Sequence, residues 1–225
     1  MERFFTADLH WRHGKILELQ RTKYGSVEEM EEDQVRNWNE IVRDHDIVYV
    51  LGDVALATSD DQSRVRDLYS RLNGHKMLVL GNHDERNSFV KKLGWEWLGQ
   101  IKMVSVDDNK ICLCHYPMQA WPDSIYGSWH LYGHVHGYLP EHRTCFKMDV
   151  GMDPWAMRPV SYGQVKDIMS KRQFAPPDRR KAYYESDLAE LGVQPVTGII
   201  FDPNNSLQAQ SLIVTPITPA KDPTL

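Results

Sequence analysis

The sequence predicts a layered α/β fold, and three observations carry that expectation. Short apolar runs alternate with longer amphipathic stretches through the first half of the chain, the strand–helix–strand order that builds layered sheets. Each apolar run stops at a polar cluster with a ligand-capable side chain, most of them beside a glycine. Hydrophobic residues make up 41% of 225, enough to form the core of one medium domain with room for an appendage.

Arg3-Phe4-Phe5-Thr6-Ala7 reads as the first strand and ends in Asp8-Leu9-His10. Residues two apart on extended backbone point to the same side, so Asp8 and His10 address one point in space. Carboxylate and imidazole together suit a borderline divalent metal; taken alone, a surface Asp and a capping His explain the pair as well. Ser26 and Glu29 form a capping box. The helix after it carries Met30, Trp38, Ile41 and Val42 near helical spacing, which is packing. The run 46–51 reads as a buried strand ending in Gly52-Asp53. Ser59 or Asp60 caps another helix, with Val65, Leu68, Tyr69 and Leu72 inward and Gly74 at its end. The strand 76–80 follows. Gly81 lets the backbone turn sharply, and Asn82, His83 and Asp84 come at once. Open sheets collect ligand sites at this carboxyl edge of their strands. A short helix with Phe89, Val90 and Leu93 stops at Gly94.

The pattern then changes. Strands 101–106 and 110–115 flank Asp107-Asp108-Asn109, which is hairpin chemistry, and the second ends in His115-Tyr116-Pro117. Trp129-His130-Leu131-Tyr132 ends in Gly133-His134-Val135-His136-Gly137, again two histidines two apart. A last core strand, 145–150, closes at Gly151, and Ser161 caps a helix to about Lys171. Residues 1–171 are therefore expected to form one domain. Residues 172–182 are Pro-rich and basic and read as a linker. Residues 183–225 read as a C-terminal accessory segment, a short helix near Leu188 to Leu191 and a β-hairpin of 198–201 and 207–214. It carries no histidine, so core packing or contact with a protein partner or second copy fits it better than catalysis.

Composition narrows the setting. A net charge of -5 leaves no global basic field, so a nucleic-acid substrate must be captured locally. Cys112, Cys114 and Cys145 are an odd set without a repeated framework, which points to reduced thiols and a cytoplasmic location. Cys112 and Cys114 read as core packing rather than zinc ligands. The N-terminus has no signal-peptide pattern, and no run approaches the ~18 apolar residues of a membrane span. Ten histidines is a high count, and strand tips rich in His, Asp and Asn are costly unless a metal centre pairs them.

The ordered set Asp-x-His, Gly-Asp, Gly-Asn-His-Asp, His and Gly-His-x-His resembles the calcineurin-like metallophosphoesterase superfamily. It is most similar to small bacterial and phage phosphoesterases that open Asp-x-His-x-x-His-Gly, here Asp8-Leu9-His10-Trp11-Arg12-His13-Gly14. The resemblance implies a four-layer α-β-β-α sandwich. It implies that Asp8, His10 and His136 hold one divalent ion, that Asn82, His115 and His134 hold a second, and that Asp53 bridges them. Ions about 3.5–4 Å apart would share a hydroxide and clamp a phosphoryl group. His83 would protonate the leaving alkoxide, and Asp84 would orient His83 by hydrogen bonding. Among flanking residues, His13, Arg12 and Tyr116 are the expected substrate contacts; for Arg12 and Tyr116, as for His130 and Arg143, surface or packing roles are the simpler reading.

The implied N/O ligand set without thiolate suits Mn first, then Fe, Zn, Ni or Co, rather than Ca. Two divalent ions bring roughly +4, of which Asp8, Asp53 and a hydroxide remove about three, so an anionic substrate is attracted despite the acidic chain. Protein Ser/Thr phosphatases of the superfamily follow Gly-Asp with Asp-Arg-Gly and use Gly-Asn-His-Glu. Here Val54-Ala55-Leu56-Ala57 and Asp84 stand instead, which favours phosphodiesters or small phosphomonoesters. A nuclease or cyclic-nucleotide phosphodiesterase is the alternative within this class, and a non-catalytic binding module the alternative outside it. Trp95, Trp97, Trp121 and Trp129 read as aromatic core, and His45, His75 and His142 as structural or solvent-facing.

Overall fold

The computed structural model describes residues 1–139 and 145–174. The expected accessory segment 183–225, His142 and Arg143 lie outside the described residues, as does the expected linker beyond Phe174. Arg172 donates to the Lys147 carbonyl at 2.5 Å, and Phe174 stacks on Phe146 with ring centres 5.2 Å apart. The packed domain thus runs past Lys171, where sequence reading ended it.

Two sheets form. In the first, β1 (Arg3–Thr6), β2 (Ile47–Val50), β3 (His75–Val79) and β4 (Trp97–Gly99) are parallel, and β9 (Val160–Ser161) adds antiparallel to β1, in the order β4-β3-β2-β1-β9. In the second, β5 (Ile101–Val106) and β6 (Asn109–Cys114) are antiparallel, while β7 (Trp129–Tyr132) and β8 (Lys147–Asp149) continue in parallel, in the order β5-β6-β7-β8. Parallel strands buried on both faces read as continuous apolar runs, because alternate residues feed different cores. Phe4, Val48, Val50 and Leu78 pack under the helices α2 (Val27–Ile41) and α3 (Gln62–Arg71), against Met30, Val35, Trp38, Val65 and Leu68. Their neighbours Phe5, Tyr49, Leu51 and Val79 face the second sheet's Ile111, Leu113 and Leu131. Helix α5 (Tyr162–Ser170) closes this second core with Val165 and Met169.

Between β6 and β7 lies a connection that contains the 3-10 turn Ser124–Tyr126. In it Trp121 packs on His130, with ring centres 5.2 Å apart. Cys112 and Cys114 are buried, as expected of packing residues. Trp129 is likewise buried, and Trp95 meets Tyr69 edge to face at 4.8 Å.

The capping signals hold at α2 and α5. Ser26 accepts the Glu29 N–H at 3.1 Å, and Ser161 with Gln164 forms a reciprocal box. At α3 the N-cap is Asp61, one residue beyond Asp60 and two beyond Ser59, the expected caps. Its carboxylate turns back to the Thr58 N–H and hydroxyl and to Arg12, and does not cap its own helix. The helix expected around Phe89–Leu93 is one 3-10 turn, Val90–Lys92. The short helices α1 (Lys15–Leu19) and α4 (Asn82–Arg86), with β4 and β9, have too few residues to show a period.

The topology brings the carboxyl ends of β1, β2, β3, β6, β7 and β8 to one edge. There Ala7 bridges to Gly151, Asp8 N–H donates to the Gly52 carbonyl at 2.9 Å, and Gly133 N–H donates to the His115 carbonyl at 3.0 Å. No helix among the described residues is long and apolar enough to cross a membrane.

His130 on β7 gives this packing a pH dependence. It is fully buried, its Nδ1 lies 3.1 Å from the Cys112 carbonyl, and its Nε2 accepts the Met118 N–H at 3.1 Å. Both nitrogens are satisfied in one neutral tautomer. Burial, partly offset by nearby carbonyls, lowers its pKa from 6.5 to about 4. Above pH 6.5 both folded and unfolded forms are neutral and the residue is silent. Between about pH 6.5 and 4 only the unfolded form takes the proton, so stability falls with pH. The loss approaches ~3 kcal/mol at the acid end. Urea unfolding at pH 7 and 5 should show it, and the stability difference between wild type and His130→Asn should shrink toward pH 5.

Candidate metal centre

Every expected ligand lies at a strand's carboxyl end or in the turn after it. Asp8 and His10 follow β1, Asp53 follows β2, and Asn82 begins α4 after β3; His115 follows β6, while His134 and His136 follow β7. Three overlapping groups have potential ligand atoms within 4.8 Å of one another: Asp8, His10 and His136; His10, Asp53 and His83; Asp53, His115 and His134. Asp53 and His10 are shared, so the groups are contiguous. His10 Nε2 lies 3.9 Å from both an Asp8 and an Asp53 carboxylate oxygen, and His115 Nε2 lies 3.4 Å from Asp53.

Hydrogen bonding turns the histidines inward. His115 Nδ1 contacts the Leu51 carbonyl at 2.6 Å, which makes Nδ1 the protonated nitrogen and leaves Nε2 a lone pair facing the cluster. His136 Nδ1 donates to Asp153 at 2.7 Å, and His10 Nδ1 meets His13 Nδ1 at 3.0 Å. The buried Nε2 atoms of His10 and His115 and the Oδ1 of Asn82 have no hydrogen-bond partner. Orphaned buried polar atoms are rare. Among the described residues there are four, and all but Thr6 Oγ1 belong to residues expected to bind metal; the two Nε2 atoms lie beside the buried Asp8 and Asp53 carboxylates. The donor set therefore fits a pair of divalent cations.

Electrostatics agree. Burial lifts the Asp8 carboxyl to about 7, against the lowering influence of His115 and His136. Burial would lift Asp53 too, but the bonding and charge of His115 and the His83 N–H hold it at about 2. His115, lowered by burial, is carried the other way by Asp53 and Asp8, to about 9. A cation at this point would let both carboxylates ionise and both imidazoles stay neutral.

The backbone is bent to make this possible. Asp8, His10, Asp53, His134 and His136 all have positive φ, from 49° to 71°. Left-handed backbone costs about 1–3 kcal/mol per non-Gly residue and clusters at functional sites. Glycines allow the closest approaches: a Cβ on Gly81 would come 2.3 Å from Asp53 Oδ1, and one on Gly133 2.5 Å from Asp8 Oδ2. These contacts explain why glycines stand beside the ligands.

Two expectations are corrected. Asp84 does not orient His83. Its buried carboxylate accepts the N–H groups of Asp53 at 2.8 Å, Val54 at 3.0 Å and Gly81 at 3.0 Å, and so pins the β2 and β3 tips together. Arg12 is turned away from a substrate role, because its guanidinium is engaged by Glu28 at 2.6 Å and Asp61 at 2.9 Å, with Glu31 at 3.6 Å. His13 and Tyr116 do flank the centre. The His13 ring is 5.0 Å from His10 and 5.7 Å from His83, and the half-exposed Tyr116 ring is 4.9 Å from His134. His83 is 30% exposed, with Nε2 3.8 Å from Asp53.

Sequence reading missed the supports. Buried Arg21 donates to the Leu9 carbonyl at 2.8 Å, the Asp8 carbonyl at 2.5 Å and Asp153 at 2.8 Å. Gln34 donates to the Leu9 carbonyl at 2.9 Å. Asp153 joins Arg21 to His136. A carboxylate behind a ligating histidine fixes its tautomer and raises its basicity. Asp153→Asn should weaken Mn binding about 10–100-fold in calorimetric titration; unchanged affinity would remove Asp153 from the metal's support.

Comparison with known proteins agrees with the geometry. The calcineurin-like phosphoesterase family matches residues 3–138. An uncharacterized protein of Methanocaldococcus jannaschii is 32% identical over 173 residues, covering 75% of this chain and 91% of that one. The Gene 66 protein of Mycobacterium phage L5 is 27% identical over 195 residues, covering 74% and 93%. A protein of unknown function from Aquifex aeolicus has a similar fold, with a TM-score of 0.61 at 22% identity, over 74% of this chain and 98% of that one. On motif order, converging ligands and family match, the chain belongs to the calcineurin-like phosphoesterases, a family of dinuclear metal-dependent phosphoester hydrolases.

Proposed function

We propose that the protein hydrolyses phosphodiesters or small phosphomonoesters, with two divalent ions held by Asp8, His10 and His136 and by Asn82, His115 and His134, and Asp53 between them. The observation that carries this reading is the placement of the orphaned Nε2 atoms of His10 and His115 at 3.9 Å and 3.4 Å from the buried Asp53 carboxylate, with the orphaned Oδ1 of Asn82 in the turn after β3. When bound, the ions supply Lewis acidity: they withdraw charge from the phosphoryl group and lower the pKa of the attacking water. Manganese is the first ion to try, given imidazole, amide and carboxylate donors without thiolate.

The chain's own groups do the rest. His83 stands half-open at the rim and serves as general acid to the leaving oxygen, its main chain anchored by donation of its N–H to Asp53 at 3.0 Å. His13 presents its second ring nitrogen to a phosphoryl oxygen, because Nδ1 is engaged with His10. Tyr116 flanks the substrate on the His134 side. The unpaired cysteines Cys112, Cys114 and Cys145 fit a cytoplasmic setting.

The purified protein with Mn should release p-nitrophenolate from bis-p-nitrophenyl phosphate. His83→Ala should lower kcat about 10²–10⁴-fold while calorimetric Mn affinity is retained. Wild-type turnover in that variant would remove His83 as the acid, and a metal-loaded wild type inert across a phosphoester panel would refute the hydrolytic reading.

A further inference from the structure

We propose, resting on the reading above in which His13 meets a phosphoryl oxygen, that Glu31 of α2 is the positioning residue that aims His13. It does so by clamping the main chain of Arg12. The first ligand loop is tied to the loop after β2 as far as Trp11. His10 N–H donates to the Asp53 carbonyl at 3.0 Å and Trp11 N–H to the Val54 carbonyl at 2.9 Å, and Leu56 N–H returns to the Trp11 carbonyl at 2.9 Å. Gln34 adds a second hold, donating to the Leu9 carbonyl and accepting the Trp11 indole N–H at 2.9 Å. These bonds set Asp8 and His10. The next N–H, that of Arg12, goes to a side chain instead: Glu31 Oε1 accepts it at 2.9 Å.

That bond sits at the point where the chain turns toward His13. Arg12 has a φ of 60°. Glycine takes this conformation freely, whereas arginine keeps it only where its surroundings over-determine it. His13 is the next residue. Its N–H donates to the His10 carbonyl at 3.2 Å, and its Nδ1 lies 3.0 Å from His10 Nδ1. A relaxed Arg12 would swing His13 away from this contact. The Arg12 guanidinium is bonded to Glu28 and Asp61, but those bonds lie at the far end of a flexible side chain and leave the backbone angle open.

The burial of Glu31 is a second, independent sign. Its side chain is fully buried on a helix face it shares with Met30, Val35 and Trp38, a place a carboxylate occupies only when paired. Its Oε2 accepts Arg64 Nε from α3 at 3.1 Å, and its Oε1 lies 3.6 Å from the Arg12 guanidinium. Held from both sides, the carboxylate is a fixed acceptor. The adjoining Glu32 offers a contrast on the same helix, since its bonds go to Arg64 at 2.8 Å and Arg71 at 2.9 Å.

The test follows bis-p-nitrophenyl phosphate turnover by the Mn-loaded full chain as wild type, Glu31→Ala, Glu31→Gln and Glu32→Ala. Losing a hydrogen bond to a charged phosphoryl oxygen should raise KM roughly 10-fold or more in Glu31→Ala, with kcat and calorimetric Mn affinity retained. Glu31→Gln keeps an oxygen for the Arg12 N–H and should keep the wild-type KM. Glu32→Ala removes ion pairs from the same helix and should keep it too. An unchanged KM in Glu31→Ala, an equal rise in Glu32→Ala, or a parallel loss of Mn affinity would overturn the clamp. If Glu31→Ala does not fold, Glu31→Asp, one methylene shorter, takes its place with the same expected direction. If wild type hydrolyses nothing, the hydrolytic reading fails by itself. Calorimetric binding of inorganic phosphate to the Mn-loaded chain then decides Glu31 separately: affinity weakened about 10-fold in Glu31→Ala and kept in Glu31→Gln upholds the clamp, and equal affinity or no binding removes it.

Discussion

The structure depends on one electrostatic constraint. Two carboxylates, Asp8 and Asp53, are buried, with the unpartnered His10 Nε2 3.9 Å from each and the unpartnered His115 Nε2 3.4 Å from Asp53. Burying such groups unpaired is expensive, and burying like charges together is more so. The surrounding histidines relieve only part of this: His115 is drawn toward its charged form, while His10 is pushed well away from it by burial. The arrangement closes electrostatically around divalent cations. The strained turns, the glycines and the buried Arg21 are then the means by which the fold keeps an unfavourable constellation in place.

Those means come from different parts of the chain. The parallel strands supply direction, because the five strand ends that carry the proposed ligands emerge at one edge. The two cores supply the stabilisation that offsets five left-handed ligand backbones. Gly81 and Gly133 supply proximity, since a single methyl at either would collide with a ligand carboxylate. Arg21 supplies long-range closure by tying the Asp8 and Leu9 carbonyls to Asp153, 132 positions further on. Removing any one of these would loosen the ligand geometry without touching a ligand.

The parts legible in the sequence were those with local grammar. A run such as Leu78-Val79-Leu80 followed by Gly81 and three polar residues announces both a strand and its exit, and each ligand sits beside such a signal. Caps at Ser26 and Ser161 are local too. What escaped was set by distant partners. Nothing near Arg21 or Gln34 in the sequence says that either will be buried beneath the first ligand loop. Asp153 follows the last core strand without a repeat or a histidine neighbour. Arg12 looked like an anion contact because it adjoins His13, yet its carboxylate partners come from Glu28 and Asp61 on neighbouring elements. Adjacency along the chain fixes backbone direction, but long side chains choose partners in three dimensions.

The reassignment of Asp84 changes how His83, the proposed general acid, must be understood. The Asp84 carboxylate accepts three main-chain N–H groups, those of Asp53, Val54 and Gly81, and the His83 ring is not among its partners. It holds Asp53 instead, through that residue's own N–H, and Asp53 in turn accepts the N–H of His83. The position of His83 is therefore inherited from Asp53, a member of two of the three candidate ligand groups. This order has a chemical sense: any shift of Asp53 moves His83 with it, so the proposed proton donor and ligand groups stay in register. The imidazole itself, 30% exposed and 5.5 Å from His10, is open to solvent on the side where the proposed leaving oxygen would stand.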